Sequence, residues 1–463
     1  MKKFDVIIVG GGPAAFFCAW KILEKKPHAN VAIFERGNPI EKRSCPALKA
    51  GKCMHCKVCA ITSGSGGAGP FSDGKALLPN LSDRKVMGNL GDLMSLKKSL
   101  KLFEEVDNIL LKNGASDIIT GIRGDEYIAS ILPYAKMAKL DVSYRPIRAM
   151  GSDGSRETFL SLEKNLIKKG VHFFFNTEVV DLIIKENKVE GVILQSEELY
   201  SENVVMAVGR SGIGWLQQMC QKYKIDNTAE TFDFGIRYEL PRSVTREMDE
   251  ALYECKIKSI IEATGDKVRT FCHCPKGFVS VEGYGKVSAV NGQSLKSKES
   301  RNTNLAILVS PKINGLHNPI KSARLNAELI NSLGKGQPLV QRVEDFRNFK
   351  PTSIEVLQRN YVRPTLAIAV PGNMALGMSS QHAYDLINFI DRVNMILPGF
   401  SDGDNLMYGP EIKPYCIVPV TTEECETSVK GLYGIGDGGG PTHGLTPAAV
   451  NGLYLGEILA SRI

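Results

Sequence analysis

The amino terminus constrains the fold more than any other part of the sequence. An apolar run of strand length, FDVIIV at residues 4–9, leads into a glycine turn and a helical segment, GGGPAAFFCAWKILEKK. A second apolar run, NVAIFE at residues 30–35, follows the helix. Strand, helix and strand in this order predict a βαβ unit with two parallel strands. The sequence therefore predicts an α/β fold that begins with a Rossmann-like domain.

The glycine turn has the pattern of a dinucleotide-binding loop. Gly10, Gly12 and Ala15 occupy the small positions of G-x-G-x-x-G/A, which allow a tight turn, the approach of a pyrophosphate and close helix–strand packing. The helix that starts here directs its free N–H groups and its positive dipole end at the phosphates. Glu35 ends the second strand, where a carboxylate can accept hydrogen bonds from ribose hydroxyls. The contacts predicted at this end are Gly10, Gly12, Pro13, Ala14, Ala15, Glu35 and Arg36.

The carboxyl terminus indicates which dinucleotide binds. GLYGIGDGGG puts Asp437 at the end of a strand, and the closing helix starts near Pro447. An acid in this position can bind a ribitol hydroxyl, and the helix start can stabilise negative charge on a reduced flavin. A second G-x-G-x-x-G after a strand is missing from the middle of the sequence, which argues against a stable second dinucleotide domain. FAD is the predicted cofactor, with NAD(P)H as a transient electron donor or a ferredoxin-like protein in its place.

Motifs spread along the chain resemble those of one family. GGGPAA, AVGRSG at residues 207–212 and GIGDGGG at residues 434–440 resemble the FAD-dependent oxidoreductases with the glutathione-reductase-type FAD fold, which fumarate reductase flavoproteins and geranylgeranyl reductases share. SGSGGAGPFSDGK at residues 63–75, FDFGIRYE and YGPEIK narrow the resemblance to the FAD-dependent dehydrogenase group. The resemblance implies that the loop 63–75 wraps the flavin side of the cofactor. The contacts added on this basis are Gly67, Ser72, Asp73, Gly74, Val179, Gly209, Arg210, Gly436, Asp437, Gly444 and Leu445.

Two residues are the predicted catalytic candidates. His443 lies in PTHG just before the last helix, where a cationic or proton-donating imidazole would assist reduction. Loop packing or helix capping is the alternative role for His443. Lys75 closes the flavin loop, and a structural ion pair is its alternative. Arg237, Glu411 and Lys413 are expected to form ordinary ion pairs.

Four cysteines, Cys45, Cys53, Cys56 and Cys59, form the pattern C-x7-C-x2-C-x2-C. The C-x2-C-x2-C part suits three irons of a [4Fe–4S] cluster, and Cys45, followed by proline, would supply the fourth ligand. Zinc held by four thiolates, a redox dithiol and a chance grouping are the alternatives. The stretch lies between Glu35 and the flavin loop, so a redox-active cluster would be placed to pass electrons to FAD.

The pattern changes near residue 226, where strand-like segments interrupted by turn residues indicate an inserted, β-rich α+β substrate domain. The segments GFVSVEGYG and NGQS are expected to line the substrate cleft. Cys272 and Cys274 are more simply two residues on one face of a strand than a redox pair. The predicted division is 1–225 for the first part of the FAD-binding domain, with a Cys-rich loop at 45–60 and a helical insertion at 86–140, then 226–371 for the substrate domain and 372–463 for the rest of the FAD-binding domain.

Composition limits the possible partners and location. The 463 residues carry 57 Lys and Arg against 50 Asp and Glu, a net charge of +7 that is scattered and does not indicate a nucleic-acid surface. The sequence has no uninterrupted apolar run of about 18 residues, so we expect no membrane span. The predicted location is cytoplasmic, where cysteines are kept reduced.

These features predict an FAD-dependent oxidoreductase, a dehydrogenase or reductase, that acts on a small organic substrate in a cleft between the two domains. An electron-transfer flavoprotein that exchanges electrons with a protein partner is the alternative, with the cysteine cluster as its electron port. A third hypothesis is an FAD-binding regulatory protein without turnover.

Overall fold

The computed structural model describes residues 3–50, 53–78, 88–228, 232–284, 286–295, 297–312, 319–414 and 418–463. Within them the strands β1 to β23 are, in order, Val6–Val9, Val31–Phe34, Lys75–Leu77, Ile119–Thr120, Asp141–Tyr144, Ile147–Ala149, His172–Phe174, Asp181–Lys185, Lys188–Ile193, Glu198–Tyr200, Val204–Met206, Asn227–Thr228, Phe232–Pro241, Cys255–Ile260, Lys267–Cys274, Phe278–Tyr284, Val287–Gln293, Asn302–Ser310, Leu339–Arg342, Val370–Pro371, Leu406–Pro414, Val418–Pro419 and Leu432–Gly434. The helices α1 to α13 are Pro13–Lys25, Ala47–Ala50, Leu96–Lys112, Gly124–Met137, Gly151–Lys168, Ile213–Tyr223, Arg242–Ala251, Pro319–Leu333, Val343–Arg347, Ile354–Arg359, Ser380–Asn394, Gly436–Gly439 and Leu445–Arg462. None of these helices is long and apolar enough to cross a membrane.

The first sheet is parallel and contains the amino-terminal βαβ unit. Its five strands have the order β23-β11-β1-β2-β7, so β1 lies at the centre between β11 and β2. All residues of β1 and β2 are buried, because α1 and α13 pack on one face and α6 with the small β8–β10 sheet packs on the other. The α/β class with a Rossmann-like sheet, predicted from the sequence, is confirmed.

The second sheet has eight strands in the order β20-β19-β21-β13-β18-β15-β14-β5 and is antiparallel except for the pair β19–β20. Its central strand, β13, is buried on both faces. Phe234, Ile236 and Tyr238 belong to a core that α8 and α11 cover. Arg237 and Glu239, the alternate residues, are fully buried on the other face, which is turned toward the first domain.

The eight-stranded sheet extends beyond the range 226–371 predicted for the second domain. It includes β5 at residues 141–144 and β21 at residues 406–414. Strand pairing over such distances leaves no mark in the local sequence pattern, which is why it was not foreseen. The helices α3 and α4 lie within the stretch 86–140 that the sequence predicts to be helical, and the division as a whole stays a prediction.

A hairpin made of β16 and β17 stands between the two domains. Its strands pair from Phe278 with Gln293 to Tyr284 with Val287, and β17 packs against β21. Glu282 and Asn291 on this hairpin reach the space in front of the first sheet. The hairpin therefore contributes side chains to the same space as the glycine turn of β1 and α1.

Candidate functional site

A cavity of about 320 Å³ lies between the carboxyl ends of the parallel strands and the eight-stranded sheet. The segments that follow β1, β2, β11 and β23 all line it. Ligands of open α/β sheets bind at this edge, because the loops that leave parallel strands meet there. The cavity is therefore the candidate functional site.

Most of the predicted site residues come together here. The cavity is lined by Gly10, Gly12, Pro13, Ala14, Glu35, Arg36, Gly67, Ser72, Asp73, Lys75, Val179, Gly209, Gly436, Asp437, His443, Gly444 and Leu445. Ala15 and Gly74 do not belong to the described lining residues. Ala15 is fully buried in the core beneath the turn, and a side chain at Gly74 would meet the carbonyl oxygen of Gly151 at 2.2 Å, so both serve packing. The side chain of Arg210 lies outside the described part of the chain.

The glycine turn supplies backbone rather than side chains to the cavity. Gly10 has a φ of +98°, and a Cβ atom there would lie 2.8 Å from the carbonyl oxygen of Ala207. A Cβ atom at Gly12 would meet no atom within 4 Å, so the space above this residue is open. Gly12 precedes α1, whose first N–H groups face that space. An open cradle at a helix start suits the pyrophosphate of a dinucleotide.

Glu35 holds the turn and the following loop in place. Its Oε2 accepts the N–H of Gly11 at 2.9 Å, while Oε1 accepts the N–H of Gly37 at 2.8 Å and that of Gly64 at 2.9 Å. The carboxylate is buried, with 7% of the residue exposed. Glu35 therefore fixes three backbone segments of the site besides its predicted contact with the ribose, a task that sequence reasoning did not foresee.

Arg36 crosses the same end of the cavity. Its Nη2 donates to Ser63 Oγ at 3.1 Å and to the carbonyl oxygen of Ser211 at 2.9 Å. The guanidinium thus joins the flavin loop to the segment that follows β11. These two hydrogen bonds hold the positive charge of Arg36 beside the end of the cavity where the nucleotide part of the cofactor is predicted to bind.

Asp437 organises the start of the last helix. Its two carboxylate oxygens accept the N–H of Gly444 at 3.0 and 2.9 Å, and Oδ1 also accepts the hydroxyl of Thr442 at 3.1 Å. Gly444 immediately precedes α13, so the loop from 437 to 444 is closed over the helix start. His443 lies in this loop, is exposed and lines the cavity.

Arg43 is a structural residue of the site that the sequence analysis missed. The residue is 1% exposed and its guanidinium donates to four backbone carbonyl oxygens of the segment 60–67. These acceptors are Ala60 at 2.9 Å, Ile61 at 2.9 Å, Ser65 at 2.6 Å and Gly67 at 2.6 Å. Burial lowers the pKa of Arg43 to about 10, against the effect of Glu35, so it remains a cation at neutral pH. An arginine after a predicted turn carries no sequence signal of such a role.

Lys75 is held as a fixed cation. Its Nζ lies 2.9 Å from Asp73 Oδ2 and 2.5 Å from Glu254 Oε2, and it also donates to the carbonyl oxygen of His273. Burial alone would lower the pKa of Lys75, but Asp73 and Glu254 raise it well above the usual value. A lysine bound in this way retains its proton at neutral pH, so the geometry favours the structural alternative, and its catalytic role stays a prediction.

A second group of charges is buried on the opposite wall. Lys413 Nζ lies 3.2 Å from Glu411 Oε1 and 3.6 Å from Glu282 Oε1, and Arg237 Nη1 lies 3.8 Å from Glu411 Oε2. Asn291 donates its amide to Glu282 at 2.9 Å. Burial raises the pKa of Glu411, while Lys413 and Arg237 oppose that rise. The expected ion pairs of Arg237, Glu411 and Lys413 are therefore present, and they are buried.

A β-bulge shapes this wall at Cys272. The pairing of β15 with β18 shifts between Phe271 and Cys274, and Cys272 has a φ of +47°, a conformation that residues with a side chain rarely adopt. Arg237 Nη2 donates to the carbonyl oxygen of Cys272 at 2.6 Å and contacts Cys274 Sγ at 3.2 Å. The bulge breaks the regular alternation from which one shared strand face was predicted. Burial raises the pKa of Cys272 to about 12, so this cavity-lining thiol is protonated at neutral pH.

The cysteine-rich stretch lies beside the second domain. The N–H of Cys53 donates to Gln337 Oε1 at 2.9 Å, and Cys59 Sγ lies next to Gly283 of the hairpin. Cys56 is exposed and the other three cysteines are half-buried. Across the described residues, no three His, Cys, Asp or Glu side chains are arranged to hold a metal ion. The residues as placed do not fit a metal centre, so the ligand roles of Cys45, Cys53, Cys56 and Cys59 stay a prediction.

Sequence comparison supports the FAD-dependent class for part of the chain. Residues 225–414 match the family model described as "FAD-dependent protein, C-terminal domain-like". The resemblance to the FAD-dependent oxidoreductases is confirmed. The matched residues include β13 to β21, that is, most of the eight-stranded sheet that faces the glycine turn. FAD is the cofactor of this oxidoreductase, and the open cradle at Gly12 with Glu35 and Asp437 on either side fits it.

Two relatives match this chain over very different lengths. A Clostridium beijerinckii protein described as uncharacterized is 23% identical over 98% of this chain and 80% of its own length. A D-amino acid dehydrogenase of Helicobacter pylori is 40% identical over 53 residues, which are 11% of this chain and 13% of that enzyme. The second similarity is therefore confined to a short segment.

Two solved structures have a partly similar course of the chain. A glycine oxidase from Bacillus cereus covers 100% of this chain and 96% of its own, with 12% identity and a TM-score of 0.41. An E. coli quinol fumarate reductase covers 100% of this chain and 71% of its own, with 12% identity and a TM-score of 0.44. At these values the similarities carry no argument about substrate.

The wall that the eight-stranded sheet contributes was largely missed. Its lining residues are Glu254, Lys256, Phe271, Cys272 and Lys413, and the β16–β17 hairpin adds Glu282, Asn291 and Gly292. Glu282, Asn291 and Gly292 lie in the segments expected to line a substrate cleft. Lys256 and Phe271 carry no motif, and only strand pairing brings them to the cavity.

Proposed function

We propose that this FAD-dependent oxidoreductase oxidises or reduces a small organic substrate between the glycine-lined strand ends and the charged wall of the eight-stranded sheet. One observation carries the proposal. A single cavity extends from the dinucleotide contacts at Gly12 and Glu35 to the side chains of Lys256, Phe271 and Lys413. A cofactor held at the first wall leaves the second wall to contact the substrate.

The chain's own residues have distinct tasks in this proposal. Bound FAD would supply hydride or electron transfer. Glu35 and Asp437 hold the loops that would surround its ribose and ribitol, and the start of α13 presents N–H groups beside them. Burial of the opposite wall keeps water from the reacting atoms, which strengthens the charges placed there.

The test is anaerobic purification and reconstitution with FAD, followed by visible spectroscopy during addition of NADH, NADPH, reduced ferredoxin or candidate organic reductants. Bleaching of the flavin by a small molecule, with turnover on adding an acceptor, supports the proposal. Reduction by ferredoxin and by no small molecule would instead support the electron-transfer flavoprotein. Failure to bind FAD after reconstitution would refute the proposed function.

The iron–sulfur cluster is a separate part of the proposal. Iron, labile sulfide and zinc are measured on the same anaerobic sample. Four irons per chain, lost when Cys56 is replaced by serine, would support a [4Fe–4S] cluster at the cysteine-rich stretch. Stoichiometric zinc without iron would support the zinc site. If neither iron nor zinc is found, the cysteine-rich stretch is a loop without metal.

A further inference from the structure

Two lysines of the charged wall have hydrogen-bond donors that the protein does not use. Lys413 Nζ has no hydrogen-bond partner, although its side chain is only 3% exposed. Its two neighbouring carboxylates lie at 3.2 and 3.6 Å without hydrogen-bonding geometry. Within the described residues, Lys256 makes neither a hydrogen bond nor an ion pair. Both lysines line the cavity.

Lys75, another lysine that lines the cavity, has an acceptor for each of its three N–H donors. The three acceptors come from Asp73, Glu254 and the backbone of His273. An ammonium has three donors, and leaving donors unused in a buried place costs free energy. Lys256 therefore lacks acceptors that a ligand would supply, and Lys413, although ion-paired with Glu411 and Glu282, makes no hydrogen bond to either carboxylate.

The two ammonium groups converge on one aromatic ring. Nζ of Lys256 lies 5.8 Å from the centroid of the Phe271 ring, and Nζ of Lys413 lies 5.9 Å from it. Each positive charge raises the electrostatic potential at the other, and an anion bound at either lysine would offset this effect. The ring offers an apolar surface beside the charges.

We propose that the substrate is a small organic carboxylate, held by Lys256 and Lys413 with its apolar part against Phe271. The inference rests on the proposed function, because it names the substrate class of that same cavity. A carboxylate supplies acceptors to an ammonium group, and charge-assisted hydrogen bonds of this kind are among the stronger ones in proteins.

The surroundings of Lys256 agree with an anionic ligand. Burial lowers the pKa of Lys256 and Glu254 opposes this, while Arg145 and Arg269 lower it further and Cys272 raises it. Arg269 has its own carboxylate, Asp233, at 2.5 Å. An anion bound to Lys256 would stabilise the charged ammonium, so the affinity should fall as the pH rises above the pKa of Lys256 in the unliganded protein.

The acids of the wall define the competing hypothesis. Glu282 and Glu411 flank Lys413, and a cationic ligand would bind to these two carboxylates instead. Asn291 already donates to Glu282, and Glu411 already has two cations beside it, Lys413 and Arg237. The wall therefore favours an anion over a cation.

The experiment titrates the FAD-loaded protein with benzoate, benzamide and benzylamine while the flavin absorption spectrum is recorded. These probes share one ring and differ in charge. We expect benzoate to perturb the spectrum with a Kd at least about 10-fold lower than those of benzamide and benzylamine, the ratio that one charge-assisted hydrogen bond provides. Equal affinity for benzamide, tighter binding of benzylamine or no perturbation by benzoate would overturn the inference.

Variants assign the affinity to the two lysines. K256M and K413M should each weaken benzoate at least about 10-fold and leave benzamide unchanged, and K256R should retain most of the benzoate affinity. K258M is the matched control, since Lys258 lies two residues along β14 outside the described cavity lining. Unchanged benzoate affinity in K256M and K413M would overturn the assignment.

FAD affinity separates the substrate from the cofactor as the partner of these lysines. Fluorescence titration of FAD into the apoproteins should give the same Kd for K256M, K413M and the wild type. A loss of FAD affinity equal to the loss of benzoate affinity would show that the lysines bind the cofactor, and would overturn the inference. A wild-type protein that binds FAD and undergoes reduction without binding benzoate refutes only the substrate class, whereas one that does not bind FAD refutes the proposed function as well.

Discussion

The two walls of the cavity are built in opposite ways. The wall from the parallel sheet presents backbone, through the glycine turn after β1 and the loops after β2, β11 and β23. The wall from the eight-stranded sheet presents charged side chains from strands far apart in the chain, most of them in ion pairs. The difference teaches that cofactor affinity should depend on backbone shape, whereas stability and substrate choice should depend on the balance of charges.

The largest effect is expected from breaking the buried charge pairs. R237M removes the guanidinium that pairs with Glu411 and donates to Asn304 Oδ1 at 2.7 Å and to the backbone of Cys272. We expect the free energy of unfolding to fall by about 3–5 kcal/mol, because a buried carboxylate and several acceptors lose their partner. Urea unfolding followed by circular dichroism measures this.

An exposed pair supplies the control for this variant. R324M breaks the pair with Glu328 on the surface of α8 and should cost at most about 1 kcal/mol. The double variant R237M/E411Q should regain part of the lost stability, since it removes the carboxylate left alone. A cost for R237M no greater than that for R324M would contradict the importance of charge balance in this wall.

A single methyl group tests the backbone wall. G12A adds a Cβ atom that meets no protein atom within 4 Å, so the folded protein should be as stable as the wild type. The same atom would occupy the space of the pyrophosphate, and we expect the FAD Kd to rise by roughly 100-fold, the cost of one or two charge-assisted hydrogen bonds. Isothermal calorimetry with the apoprotein measures the change.

G214A is the matched control, because its Cβ atom also meets nothing within 4 Å but lies on α6, away from the described cavity lining. It should bind FAD as the wild type does. Unaltered FAD affinity in G12A would mean that the turn is not the phosphate cradle.

Arg43 tests whether a side chain can govern the backbone wall from behind. R43K keeps the positive charge but cannot reach four carbonyl oxygens at once. We expect FAD affinity to fall by about 10-fold and the loop 60–67 to become more sensitive to protease, as measured by calorimetry and limited proteolysis. Wild-type behaviour in both assays would show that the loop holds its shape without the arginine.

The smallest expected effect concerns a charge far from the cavity. Burial, helped by the neighbouring Asp266 and opposed by the hydrogen bond from Thr264, raises the pKa of Asp385 to about 6. Because the pKa is higher in the folded state than its ordinary value of 3.8, the stability linked to Asp385 is complete below about pH 3.8 and is lost as the pH rises through about 6.

D385N should therefore show less loss of Tm between pH 5 and pH 7.5 than the wild type, by on the order of 1–2 °C. D391N, a change of an exposed residue on the same helix, should follow the wild type. A D385N curve parallel to that of the wild type would contradict the raised pKa.

The sequence predicted the backbone wall well because its residues are contiguous. Gly10, Gly12 and Glu35 lie within one βαβ unit, and Asp437 lies in one short motif, so local patterns were enough. Arg43 was missed because its role depends on the fold of the loop around it. The bulge at Cys272 was missed for a similar reason, since an extra residue in a strand is visible only against its partner strand.

By itself the sequence determined the α/β class, the dinucleotide turn and the choice of FAD, because short-range periodicity and glycine positions act over a few residues. Tertiary structure alone decided which charged side chains line the cavity. Lys256 and Lys413 are 157 positions apart in the numbering. Both lie near the ring of Phe271 because β14, β15 and β21 belong to the same eight-stranded sheet. The physical reason is that strand pairing is set by the burial of whole faces, which no local pattern records.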